Sequence, residues 1–165
     1  MKKQIIAVLL LVCIGTWNLL AQENDSVTTL PSISVASGMV VSKAVDKAFK
    51  KAFPQAKDLK WYDLNKLYLA RFIENDMKHQ AVFTQNGSMN YDISYGYEQH
   101  LPMEIRDRLK GGAYEDYKIT HVTNIKELQR NSNIWIATLE SLNHLVMVRV
   151  KNNELEEVEK YNKSK

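Results

Sequence analysis

From Ser42 to Phe53 the apolar residues Val45, Ala48, Phe49, Ala52 and Phe53 recur every third or fourth position, and lysines fill much of the rest. That period lays one apolar stripe along a helix. Ser42 is placed to cap its start by accepting from free backbone N–H groups. Pro54 ends it, because proline has no N–H and disfavours helical geometry in the residue before it. Beyond Pro54 the period changes to two. Leu59 and Trp61 alternate with polar neighbours, and Tyr68, Ala70 and Phe72 alternate with Leu69, Arg71 and Ile73. Ala81 and Phe83 lead to "QNGS", where Asn86-Gly87 is a hairpin signal because both residues tolerate positive φ. Tyr91, Ile93, Tyr95 and Tyr97 share one face of the returning strand.

The second half reads in the same order. "LPMEIRDRLKGG" predicts a short helix, with Pro102 in its first turn, Gly111 at its C-terminal cap and Leu101, Ile105 and Leu109 as its stripe. Strand-like runs follow in "YKITHVTNI", "NIWIATLE" and "HLVMVRV"; "NELEEVEKY" suits either a strand or a short helix. The expected fold class is α+β: two tandem helix-plus-antiparallel-meander units, about 41–98 and 99–161, with the helices packed on one face of the sheet. Phe49, Phe53, Pro54 and Trp61 form the expected structural corner, Pro54 turning the chain so that the helix aromatics meet the strand tryptophan.

These residues carry a resemblance. "AFKKAFPQAKDLKW", "YLARF", "HQAVFTQNGS" and "LPMEIRDRL" together resemble the PepSY-like, or beta-lactamase-inhibitor-like, family of exported proteins. The matching positions are Phe53, Pro54, Ala56, Trp61, Tyr68, Phe72, Gly87, Leu101 and Pro102, and the likeness spans about residues 40–161. It implies a protein-binding module, inhibitor-like or regulatory, whose partner is an envelope or extracellular protein such as a peptidase. It supplies no catalytic residues. Ser88, Met89 and Asn90 fill the space after the hairpin glycine where an aromatic is common, which is a departure from the pattern.

The N-terminus adds a destination. Lys2 and Lys3 precede an apolar run from Ile5 to Ile14, and Ala21 offers a small residue for cleavage. This is the pattern of an export signal over residues 1–21. Gly15, Thr16 and Asn18 interrupt the apolar length that a stable span needs; an uncleaved anchor is the alternative. The expected location is the periplasm or the extracellular space. Residues 22–40 are small and polar without sustained period, and read as a flexible lead segment, or as an added edge strand around Ile33 and Val35. Residues 41–161 form the expected domain and 162–165 a tail.

Composition narrows the chemistry. The chain of 165 residues has 22 lysines and arginines against 19 acids, and Lys2 and Lys3 belong to the signal, so the mature balance is close to neutral and offers no track for nucleic acid. Cys13, the one cysteine, lies in the signal, which removes disulfides, thiolate nucleophiles and thiolate metal sites from the mature chain. His79, His100, His121 and His144 show no metal-ligand spacing, although His79 and His121 could meet across a sheet. Ser94 is not in a nucleophile elbow. Glu156 and Glu157 point apart on a strand, and Gly111-Gly112 follows a helix where a phosphate cradle precedes one. The expectation is therefore no cofactor, no metal site and no enzyme.

Tyr68, Tyr91, Tyr95 and Tyr97 remain as a candidate binding platform, since tyrosine offers large amphipathic area with few rotors. The alternative is that this face is the one the helix covers. The expected function is an exported, non-catalytic binding module. A small-ligand carrier, with a closed pocket lined by Phe72, Phe83 and Trp135, is the second reading. An enzyme, with a histidine converging on an acid in a cleft, is the third.

Overall fold

A computed structural model describes residues 39–164. The helix α1 spans Lys43–Ala52, and Ser42 caps it by accepting from the Val45 N–H at 3.3 Å. The strands are β1 (Lys57–Asp63), β2 (Leu67–Glu74), β3 (Met77–Thr84) and β4 (Met89–Gly96). A 3₁₀ turn at Glu98–His100 and α2 (Met103–Lys110) follow, then β5 (Lys118–Glu127), β6 (Ser132–Glu140), β7 (His144–Lys151) and β8 (Glu154–Asn162). The eight strands make one antiparallel sheet in strict sequence order.

That order corrects the expected fold class. The chain is not two tandem helix-plus-meander units with helices packed on the sheet as a repeated layer. It is mostly one eight-stranded antiparallel sheet with two short helices. The physical reason is the pairing at its middle: Tyr91–Gly96 of β4 run in continuous register with Val122–Glu127 of β5. The ladder satisfies the backbone groups of both strands and leaves no boundary at residue 98. The ambiguous closing segment is also strand, pairing along β7 from Lys151↔Glu154 to His144↔Asn162. Its neighbour Tyr114 donates a hydrogen bond to Glu157 at 3.1 Å; burial, and then this bond, hold the phenol above its ordinary pKa. The expected signal, and the lead segment as far as residue 38, lie outside the described residues.

Alternation assigns two faces. On the core face, Val45, Phe49 and Phe53 join Ala70, Phe72, Ala81 and Phe83 in one apolar cluster. Leu101 and Leu109 join Ile119, Val122, Trp135, Ala137, Leu139, Val146, Val148 and Val150 in a second. Between the two lies a seam of buried polar residues, His79, Asp92, Ser94 and Asn124. The opposite, open face carries only a small buried row, Tyr62, Leu69 and Val82.

The β3–β4 turn shows why local sequence matters. Gly87 has φ +90, and a Cβ there would stand 2.7 Å from the Ala44 carbonyl oxygen of α1. Gly87→Ala is therefore expected to cost about 2 kcal/mol, from a left-handed backbone and a backbone clash that neither partner can relieve cheaply. Chemical denaturation measures it, and a neutral result would refute the close approach of turn and helix.

Candidate functional site

The sequence-predicted residues divide between the faces. Phe49 lies at the centre of the corner, with ring centroids 5.3 Å from Trp61, 5.0 Å from Phe72 and 5.5 Å from Phe53. Phe53 ends α1 at φ −132, ψ 70 with its ring tilted against that of Phe72, centroids 4.5 Å apart, while Pro54 itself is exposed. Tyr68 pairs with Phe83 and packs against the same core cluster. Tyr91 pairs with Val82 and packs on the open-face row instead. Tyr68 is thus separated from Tyr91 by the thickness of the sheet. Tyr95 follows Tyr91 on the open face and is 41% exposed. Tyr97, 57% exposed, lies past the end of β4 with its ring 5.8 Å from His121.

The open face has a definite layout. One row crosses the strands as Lys60, Arg71, Gln80, Ile93, Ile125, Ile134 and Lys151. The adjacent row runs Ile73, Lys78, Tyr95, Thr123, Ile136, Arg149 and Glu156. Ile93, Ile125, Ile134 and Ile136 are partly exposed, and neighbouring strands bring such positions about 5 Å apart. The middle of the face is consequently an aliphatic strip, with Tyr91 and Tyr95 beside it and charges at both ends. Composition did not reveal these isoleucines as a surface. In β6, Ile134 and Ile136 alternate with the apolar Trp135 and Ala137, whereas Ile93 and Ile125 stand between polar residues in β4 and β5, so an apolar period there points to a core rather than to an open face.

The core face holds a constellation that sequence reasoning did not assemble. His79 Nδ1 lies 3.0 Å from Asp92 Oδ1 and 3.1 Å from Oδ2, with both residues buried. The His79 ring stacks on Phe72 at 4.9 Å and 16°, and Phe53 is 5.8 Å away. Ser94 is the cross-strand partner of His79. The three residue types match a hydrolytic triad, but among the described residues no hydrogen bond joins Ser94 to His79, and Ser94 is 3% exposed. A nucleophile needs both the bond to its base and access for a substrate. The geometry is that of a satisfied buried pair. Asn124 completes the seam, donating through Nδ2 to Asn133 Oδ1 at 2.6 Å and to the Ile134 carbonyl at 3.1 Å. His79 and His121 do not meet, since His121 pairs with Thr138 and stands exposed beyond β4.

A cleft of about 500 Å³ opens beside the seam, between the end of α1 at Ala52 and Phe53 and the β5–β6 turn, with Asp92 in its wall. The closed pocket expected of a carrier is not formed among the described residues: Phe72 and Phe83 belong to one apolar cluster and Trp135 to the other. No group of three or more His, Cys, Asp or Glu is placed to hold a metal among the described residues. No helix there is long and apolar enough to cross a membrane.

The chain superposes on a BLIP-like protein from Bacteroides fragilis with a TM-score of 0.56 and 17% identity, over 75% of this chain and 87% of that one. A DUF2874 family protein from Bacteroides ovatus gives 0.55 and 17%, over 76% and 89%. A candidate periplasmic protein from Bacteroides eggerthii gives 0.53 and 16%, over 75% and 90%. The chain has the fold of these BLIP-like and DUF2874 proteins. No protein-family model matches it, and neither does any curated protein.

Proposed function

We propose that this protein is an exported, non-catalytic binding module that engages a protein partner, in the manner of an inhibitor or regulator, through the open face of its sheet. The observation that carries the reading is the aliphatic strip Ile93, Ile125, Ile134 and Ile136, partly exposed and flanked by Tyr91 and Tyr95. A contiguous apolar surface rimmed by polar groups is characteristic of protein contact. The fold shared with a BLIP-like protein supports the same reading. Export is supported by the signal pattern of residues 1–21 and by the fold shared with a candidate periplasmic protein. The partner belongs to the envelope or the extracellular space, and a peptidase fits that class.

The test compares surfaces. The full chain, its Ile125→Asp/Ile136→Asp variant and its Tyr95→Ser/Tyr97→Ser variant are used to capture partners from the native envelope extract, with thermal melts as fold controls. The expected result is one stoichiometric protein held by the parent and lost from both variants. Loss of an interface anchor costs about 2 kcal/mol or more, a drop in affinity of about thirtyfold. A partner retained by both variants would place the interface elsewhere.

A further inference from the structure

Resting on that reading, we infer that the β1–β3 end of the open face is a subsite for an acidic loop of the protein partner, one that presents paired carboxylates next to an apolar or aromatic residue. Lys60 and Arg71 are direct cross-strand partners, and Lys78 lies on the next strand, one row along and opposite Tyr95. Among the described residues no carboxylate comes within ion-pair distance of any of the three. Of the acids in β1–β4, Asp63, Glu74 and Asp92 take the other parity of the alternation, and Asp58, on the β1 bulge, borders the same side without coming within ion-pair distance of any of the three. Arg71 is held over the Tyr62 ring, its Cζ 4.9 Å from the centroid, which fixes the guanidinium without neutralising it.

The three cations border a depression of about 410 Å³ whose other walls include Tyr62, Gln80 and Tyr95, with Asp58 at its edge on the β1 bulge. This shape suits a protruding side-chain cluster. Carboxylates would meet a guanidinium and two ammoniums, and an adjoining apolar residue would meet the tyrosine rings. Gln80 of its wall is the cross-strand partner of Ile93, so the depression adjoins the isoleucine strip and one partner can reach both.

The far end of the face has the opposite arrangement. There Arg149 is already paired with Glu156, and Glu154 lies opposite Lys151. A polyanion laid along the whole face would gain at β1–β3 and be repelled at β8. Nucleic acid also needs a longer basic track than three residues provide. A protein loop with a local acidic cluster fits the patch without meeting the far end.

The experiment selects constrained peptide loops of about a dozen residues from a random displayed library on the full chain. Binding of the enriched loops is then measured on Lys60→Glu/Arg71→Glu/Lys78→Glu, on the single variant Lys78→Gln, and on Lys43→Glu at α1 as a remote control. The expected result is enrichment of loops with two or more Asp or Glu beside an aromatic or aliphatic residue. Their affinity should fall by about a hundredfold in the triple variant, by about threefold in Lys78→Gln and not at all in Lys43→Glu, and should weaken between about 0.05 and about 0.5 M salt. If the triple variant does not fold, the ratio between Lys78→Gln and Lys43→Glu decides. No enrichment, loops without acidic bias, or equal losses in the remote control would overturn the subsite. Tighter binding of a single-stranded oligonucleotide or of anionic lipid vesicles than of any loop would overturn it in favour of a polyanion site. Loops that depend on Ile125 and Ile136 but not on the three cations would refute the subsite and leave the binding-face reading standing; loops that depend on neither would refute both.

Discussion

Phe49→Ala is expected to lower the unfolding free energy by about 3–5 kcal/mol, the range for removing a large buried aromatic side chain. Phe49 is 3% exposed and its ring contacts four others, those of Phe53, Trp61, Phe72 and Phe83. Truncation removes the edge-to-face contacts as well as the buried area, and the helix that carries Phe49 is too short to persist without its docked side. Lys47→Ala, on the exposed side of the same helix, should change stability by no more than about 0.5 kcal/mol. Trp61→Ala should cost less than Phe49→Ala, because Trp61 is only partly buried. Urea titration of the three variants checks the order. A loss below about 1 kcal/mol for Phe49→Ala would mean that α1 does not anchor the first apolar cluster.

Asp92→Ala should cost about as much, about 3–5 kcal/mol, for a different reason. It leaves the His79 ring buried against Phe72 without the partner that satisfies Nδ1. The distinguishing measurement is the double variant His79→Leu/Asp92→Ala, which removes both polar groups together. Because the penalty lies in the orphaned group more than in the lost bond, the double variant should recover much of the stability lost in Asp92→Ala. Strictly additive losses would show that the two side chains are not coupled and that the seam is held by other contacts.

Much of the fold was legible locally. The three-and-four spacing placed a helix over 42–53 where α1 spans Lys43–Ala52, and Asn86-Gly87 marked the β3–β4 turn. The joining of β4 to β5 was not legible. A helical period between two sets of strands reads as a unit boundary, and only the ladder between Tyr91–Gly96 and Val122–Glu127 reveals continuity. The strand positions of the candidate site were legible in their periodicity and not in their sidedness. In β4 the tyrosines alternate with Asp92 and Ser94, and polarity alone sends the aspartate and serine toward water. The structure buries them instead, because Asp92 has His79 as a partner 13 residues away in sequence. Pairing of that kind depends on strand register, which no single stretch of residues encodes. The basic cluster was hidden for the same reason: Lys60, Arg71 and Lys78 are unremarkable in their own segments and become neighbours only across β1, β2 and β3.

The two outer strands carry a consequence for self-association. β8 is exposed along its whole length, and Glu154, Glu156, Glu157 and Glu159 interrupt its apolar residues. β1 departs from regular pairing between Lys57 and Lys60, with Asp58 at φ 55. A second molecule extending the sheet at β8 would have to desolvate a run of carboxylates, and one approaching β1 would meet a bulged backbone with lysines on either side. An open sheet with an apolar face is ordinarily at risk of growing into fibrils. Here the two edges impede edge-to-edge extension, so the apolar face can stay open without recruiting further copies of the chain into the sheet.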